Sequence, residues 1–309
     1  MFAHKADYTI FAEHSVQKVT DMNNSKAIRY AIYAALLYAV STPFSKLLME
    51  KIPPVFMAGL LYLGAAAGMS IVTSLSRCRS KENSSFTHSD LPYLILMVVL
   101  DIAAPILLMT ALKNSSPESV SLLNNFEIVA TSLIALFIFK EKISPRLWIA
   151  IVLITAASIL LSLSDITSFS VSVYSLLALL ACCCWGLENN CTRKLSNRAP
   201  ARIVIIKGYG SGTGSVIVAL ISGERLTLTP YILLALLLGF VAYGLSIYTY
   251  VYAQRYIGAA KTSAFYALAP FMGALISLAL FPKIPALLFI ISFVIMALGA
   301  FLAIEKERT

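Results

Sequence analysis

Charge is what this 309-residue chain has least of. Asp, Glu, Lys and Arg make up 13% of it, against about 25% in an average soluble protein. So few charges cannot coat a water-facing surface, and the 59% apolar content and mean hydropathy of +0.83 place the chain in a membrane. A soluble enzyme, a disordered chain and a nucleic-acid binder are excluded on the same ground. Histidine is scarce too: His4, His14 and His88 all fall outside the apolar stretches, so none serves as a buried proton relay or metal ligand. The five cysteines form no framework. Cys78 lies in a polar connector, while Cys182, Cys183, Cys184 and Cys191 share one apolar segment. Successive helical residues turn by about 100°, so the first three fan around the helix and read as small packing or lipid-facing residues. No disulfide, metal or cofactor is expected. There is no Gly-Lys-Ser/Thr phosphate loop either. The run Gly208 to Gly214 lies inside an apolar segment with no preceding strand, so it reads as a site of close helix approach, like Gly64 and Gly68.

What is present in abundance is long apolar runs, divided by short charged or Pro/Gly-containing breaks. They predict ten spans: 28–48, 54–75, 91–112, 118–139, 146–163, 173–194, 202–222, 230–252, 260–281 and 285–304. In hydrocarbon each backbone polar group must be satisfied within its own helix, so the expected fold class is an all-α polytopic membrane protein. Residues 1–27 lack the apolar core of a signal peptide and carry Lys5, Asp7, Glu13, Lys18 and Asp21, which reads as a polar N-terminal tail. Met22, just ahead of the first span, offers an alternative start that N-terminal sequencing would decide. Residues 305–309 form a short C-terminal tail.

Basic residues fall unevenly between the two sides that these spans define. Eighteen lie on the side of the termini: Lys5, Lys18, Lys26, Arg29, Arg77, Arg79, Lys81, Lys140, Lys142, Arg146, Arg193, Lys194, Arg198, Arg202, Arg255, Lys261, Lys306 and Arg308. Five lie opposite, at Lys46, Lys51, Lys113, Arg225 and Lys283, and Lys207 stands within a span. The positive-inside rule then puts both termini in the cytoplasm and the chain in the cytoplasmic membrane, with an even number of crossings.

The chain also repeats itself. Tyr38-Ala39 and Lys46 match Trp185-Gly186 and Arg193 at an offset of 147, and Pro54, Gly64 and Gly68 match Pro200, Gly210 and Gly214 at 146. Ala111, Ser121 and Leu133 match Ala253, Ser263 and Leu275 at 142, and Ala157 matches Ala297 at 140. A drifting offset is what small deletions in connectors produce. The expectation is two five-helix repeats, 28–163 and 173–304, and because five is odd the second is inserted upside down relative to the first.

Ionisable groups inside spans cost about 2.5–3.5 kcal/mol each at a helix centre, so each of the four present here calls for a purpose. Asp101 lies mid-span with Pro105 one turn on, where a missing backbone donor can bend the helix. Glu127 shares a helix face with Asn124 and Thr131. Asp101 and Glu127 are the proton-coupling candidates, or else bind a cationic group of a substrate; interhelical hydrogen bonding is the structural alternative. Glu188, near Trp185, and Lys207 lie at matching depths, about 6–8 Å from the midplane at 1.5 Å rise per residue, and form a candidate ion pair. Snorkelling of Lys207 to the headgroups is the alternative. Tyr243 reads as a cavity residue, and Tyr250 and Tyr252 as interfacial anchors. The candidate substrate-binding set is therefore Asp101, Asn124, Glu127, Trp185, Glu188 and Tyr243.

The segment Ser121 to Val129, followed by Phe139-Lys140-Glu141-Lys142-Ile143-Ser144, resembles the end-of-repeat signature of the drug/metabolite transporter superfamily, EamA-type branch. The second copy, Ala264 to Phe281, is similar, with Ala269-Pro270 in place of the Glu-Pro of the signature. In the first copy Ile128 replaces the usual Pro of the signature, and in the second Pro282-Lys283 replaces its loop Glu. The resemblance covers about 28–304 and implies a ten-helix secondary carrier, commonly an exporter of amino acids or other small metabolites, with Glu127 at the signature carboxylate. The expected partners are the lipid bilayer and a small-molecule substrate, with no nucleic acid and no cofactor. Export, coupled to protons or not, and uptake stay open at this point. An intramembrane enzyme would need a catalytic set that no recognisable motif supplies, and a non-transporting receptor would tolerate loss of Asp101 and Glu127.

Overall fold

Each apolar run forms a helix, and proline sets where many of them begin. In this computed structural model, which describes residues 25–75, 86–138, 140, 144–165, 170–196, 198–227, 229–282 and 284–303, the helices are α1 Ser25–Leu48, α2 Pro54–Leu75, α3 Leu91–Asn114, α4 Pro117–Phe137 and α5 Pro145–Ser162. The second half holds α6 Val173–Leu195, α7 Pro200–Ile221, α8 Tyr231–Gly258, α9 over 259–280 and α10 Leu287–Ala303. Proline is the first residue of α2, α4, α5 and α7, where its fixed φ suits a helix start and its missing N–H costs nothing. By length and hydropathy α1 to α5, α7 and α8 are each sufficient to cross a membrane, and Leu268–Leu280 and α10 are shorter apolar helices. Glu188, Asn189, Asn190, Arg193 and Lys194 dilute α6, which at 23 residues is long enough to span.

Helices of one half pack on their counterparts in the other: α2 on α7, α4 on α9 and α5 on α10. Such self-matching contacts are what two repeats related by a pseudo-twofold axis produce. Small residues permit the closest of these approaches. A Cβ on Gly208 would lie 2.6 Å from Ala66 Cβ and 2.7 Å from the Tyr62 carbonyl oxygen, and one on Gly212 would lie 2.7 Å from Leu63, so α7 sits backbone-close to α2. Gly64 faces the backbone of Leu236, and Gly239 the backbone of Leu61, which brings α8 equally close on the other flank of α2.

Several features differ from the sequence expectation. The first helix already includes Ser25, inside the expected tail. Helix α4 is not continuous: it tightens at Asn124–Asn125, where the N–H groups of Asn124, Asn125, Glu127 and Ile128 bond three residues back. Helix α9 has its own interruption at Ala267, 142 residues after Asn125 and hence at the equivalent point of the repeat. Helix α8 runs six residues past its expected end, because the first backbone that breaks it is Gly258 with φ of +77°. It also contains a π-helical stretch, Phe240–Leu245, that periodicity does not signal. Between the halves stands a two-stranded antiparallel ladder, Leu163–Asp165 with Ser170–Val171. The tails at 1–24 and 304–309, with Cys78, Arg77, Arg79, Lys81, Phe139, Glu141, Lys142, Ile143, Lys283, Lys306 and Arg308, lie outside the described residues.

Lysine and arginine side chains cap helix ends reciprocally. Lys46 Nζ donates to the carbonyls of Leu112, Lys113 and Ser115 at 2.6, 3.0 and 2.9 Å, closing α3, and Lys113 Nζ donates to Met49 O at 2.6 Å, closing α1. Arg255, 142 residues after Lys113, does the same for α6 through Ser196 O at 2.9 Å and Arg198 O at 2.6 Å. Among the contacts between the halves, two lie near opposite ends of the helices. The Glu224 carboxylate accepts from the N–H groups of Val55 and Phe56 at 3.2 and 3.0 Å, capping α2 from the α7–α8 connector. At the opposite ends of the helices Arg198 Nη2 meets Asp90 Oδ2 at 2.7 Å.

Candidate functional site

Eight helices turn polar side chains toward a shared interior, where hydrocarbon offers them no water and each must find a partner or a cavity. The cavity encloses about 490 Å³ of empty space, counted out to its open mouth. Its walls carry Tyr38 of α1, Tyr62 of α2, Asp101 of α3 and Glu127 of α4 from the first half. Trp185, Glu188, Asn189 and Thr192 of α6, Lys207 of α7, Tyr243 and Tyr250 of α8 and Tyr266 of α9 line it from the second. The site is thus shared between the repeats.

One wall is an ion cluster. Lys207 is 3% exposed and does not snorkel; its Nζ lies 2.8 Å from Glu188 Oε1 and 3.0 Å from Asp101 Oδ2. Tyr62 donates its hydroxyl to Asp101 Oδ1 at 2.9 Å, and Thr192, one turn beyond Glu188, donates to Glu188 Oε1. Pro105 lies inside α3 and supplies no N–H to the Asp101 carbonyl, so the helix is weakened at the residue that carries the carboxylate. Close packing of Gly208 on α2 holds Lys207 in reach of both acids.

The other wall is aromatic and holds Glu127. The tight turn at Asn124–Asn125 re-aims α4, so that Glu127 reaches α6, where Asn189 Nδ2 donates to its Oε1 at 2.6 Å. Asn189 also approaches Thr131 Oγ1 at 3.4 Å, and Asn190 donates to the carbonyls of Thr131 and Gly186 at 3.1 and 2.8 Å. Thr131 therefore serves the α4–α6 seam. Asn124 lies at the break itself, beside a smaller adjoining cavity that it shares with Tyr38, Glu127 and Tyr266. Tyr38 stands 5.5 Å from the rings of both Tyr243 and Tyr266 and 6.5 Å from Trp185, and Tyr62 stands 5.1 Å from Tyr243. Tyr250, expected at the interface, is instead buried, 5.0 Å from Tyr266 and hydrogen-bonded to Ser263 at 2.7 Å.

Of the residues singled out from sequence, Asp101, Glu127, Trp185, Glu188, Lys207 and Tyr243 meet in the main cavity and Asn124 lies beside it. Sequence reasoning missed Tyr62, Thr192, Tyr250 and Tyr266, and met Tyr38 only as a repeat marker. A signal existed for the tyrosines: Tyr38 and Tyr62 fall near the middle of their helices, where an interfacial anchor has no use and a hydroxyl needs a partner.

Comparison with known proteins extends this picture. The model of the EamA-like transporter family matches the chain twice, over residues 25–163 and 172–304. An uncharacterized transporter of Methanothermobacter thermautotrophicus is 24% identical over 293 residues, which cover 88% of this chain and 84% of that protein. A solved crystal structure of a protein shares the fold with a TM-score of 0.67 at 17% identity, over 90% of this chain and 96% of its own.

Proposed function

This chain belongs to the EamA-like transporter family, and from that premise we propose that it is a secondary carrier working by alternating access, exporting a small metabolite such as an amino acid or a related polar or amphipathic compound. The observation that carries this reading is the cavity between the halves, walled by three carboxylates and a lysine that would be too costly to keep in hydrocarbon for packing alone. In this reading 28–163 and 173–304 rock against each other in the cytoplasmic membrane, with both termini cytoplasmic and no enzymatic step. Access alternates as the cross-half ties at Glu224 and at Asp90–Arg198 open in turn. Substrate fills the space bounded by Asp101, Glu127, Trp185, Glu188 and Tyr243. A proton taken up by Asp101 or Glu127 on one side and released on the other supplies the driving force.

The test is a thermal-shift screen of purified protein against amino acids, amines, sugars and nucleosides at two pH values, followed by flux of each hit in proteoliposomes. A ligand that binds only the folded state raises its stability. The expected result is a hit whose stabilisation and flux both disappear in Glu127→Gln; flux unaffected by Glu127→Gln and Asp101→Asn would remove the carrier mechanism proposed here.

A further inference from the structure

The cavity is electrically unbalanced. Among the described residues that line it, three carboxylates, Asp101, Glu127 and Glu188, face a single ammonium, Lys207. Lys207 is committed to Asp101 and Glu188, at 3.0 and 2.8 Å. Glu127 stands apart from that cluster: among the described residues its side-chain partner is the neutral Asn189 amide, and no Lys or Arg pairs with it. The wall beside it is aromatic, with Tyr38 at its centre and Tyr243, Tyr266 and Trp185 around that ring. A carboxylate beside a cluster of aromatic rings is the environment that attracts an organic cation, and removing it from water strengthens the attraction.

We propose that Glu127, Tyr38, Trp185, Tyr243 and Tyr266 form a binding site for an organic ammonium group, and that the substrate bearing it carries no carboxylate of its own. The lack of a carboxylate on that substrate follows from the same charge count. An incoming carboxylate meets no uncommitted cation on the described walls, and it adds an anion to a space that already holds an excess of them. This rests on the carrier reading and narrows it from amino acids to amines. The tyrosine hydroxyls set the shape of the pocket, while their rings supply the attraction.

The chain has two tryptophans, and Trp148 lies exposed on α5, so Trp148→Phe leaves Trp185 as a reporter inside the cavity. In that background the purified protein is titrated with choline, a permanent cation that cannot hand over a proton, and with 3,3-dimethylbutan-1-ol, its uncharged isostere. The site predicts saturable change of Trp185 fluorescence by choline and binding of the isostere weaker by roughly tenfold or more. It predicts a comparable loss in Glu127→Gln. Should Glu127→Gln fold poorly, Tyr38 decides: Tyr38→Phe keeps the ring and the binding, and Tyr38→Leu weakens it several-fold. Equal binding of the two probes, no binding of choline, or binding indifferent to both Glu127→Gln and Tyr38→Leu overturns the proposal. Flux of a neutral or anionic solute without choline binding removes the cation site and keeps the carrier; choline binding without flux of any screened solute removes the carrier and keeps the site.

Discussion

Lys207 carries its charge at a position 3% exposed, and two acids rather than one hold it there. Breaking a buried ion pair by removing one member strands the rest, which costs about 3–5 kcal/mol, whereas removing all the charges together is often neutral. Lys207→Met should therefore lower the thermal stability of the purified protein sharply by leaving Asp101 and Glu188 facing each other. The triple variant Asp101→Asn, Glu188→Gln, Lys207→Met should recover most of it, measured by thermal unfolding in detergent. The four ionisable positions were legible in the sequence because charge in an apolar run is conspicuous. Their grouping was not: matching depth suggests Glu188 with Lys207, but the rotation of α3 that brings in Asp101 is a packing outcome. Tyrosine was harder still, since the same residue type serves interface anchors and cavity walls, and Tyr250 shows the difference.

Helix α2 is the element on which the site is built, because α7 and α8 both approach its backbone across glycines. At Gly208 an added Cβ would meet Ala66 Cβ at 2.6 Å and the Tyr62 carbonyl at 2.7 Å, neither of which can swing aside. At Gly210 it would meet the Val98 methyls at 3.0 Å, the ends of a side chain that can adjust. Gly208→Ala is expected to cost about 1–3 kcal/mol by overpacking and to shift Lys207 off its acids, with Gly210→Ala clearly milder. Thermal unfolding of the two variants side by side checks the order. Glycine spacing announced these contacts in the sequence without naming the partner. The break in α4 gave less warning, since Asn124-Asn125 inside an apolar run also fits a continuous helix, and only the seating of α4 against α6 and α9 shows which applies.

Across the whole molecule, the two halves are tied at one end of the helices by Glu224 on the α2 N-terminus and at the other by Asp90 with Arg198. Hydrogen bonds from Thr87, together with Arg198, hold the Asp90 carboxyl below its ordinary value of 3.8. A carboxylate with a lowered pKa contributes above its ordinary value and loses that contribution only as pH falls through the lowered one. The Asp90–Arg198 tie is thus intact from pH 5 to 8. A half-buried pair still open to solvent, as this one is, is worth about 1 kcal/mol, or about fivefold in a population. In a background lacking the native cysteines, Asp90→Asn should raise the labelling rate of Thr192→Cys by an impermeant maleimide from the Arg198 side by up to about fivefold. The increase should be the same at pH 5 and pH 8. Glu224→Ala should act in the opposite direction by favouring opening on the far face, and an increase in both variants would show that the ties do not oppose each other.

Membrane residence, the number of spans and the doubling of the chain were determined by the sequence alone. They depend on the hydropathy of residues taken one after another, and lipid imposes that condition on each helix separately. The tertiary structure decided which side chains meet: Asp101 with Lys207, Glu127 with Asn189, and five tyrosines around one cavity. Those contacts depend on the rotation of each helix about its own axis. Rotation is fixed by glycine-sized gaps and broken turns on neighbouring helices, which an apolar run does not encode.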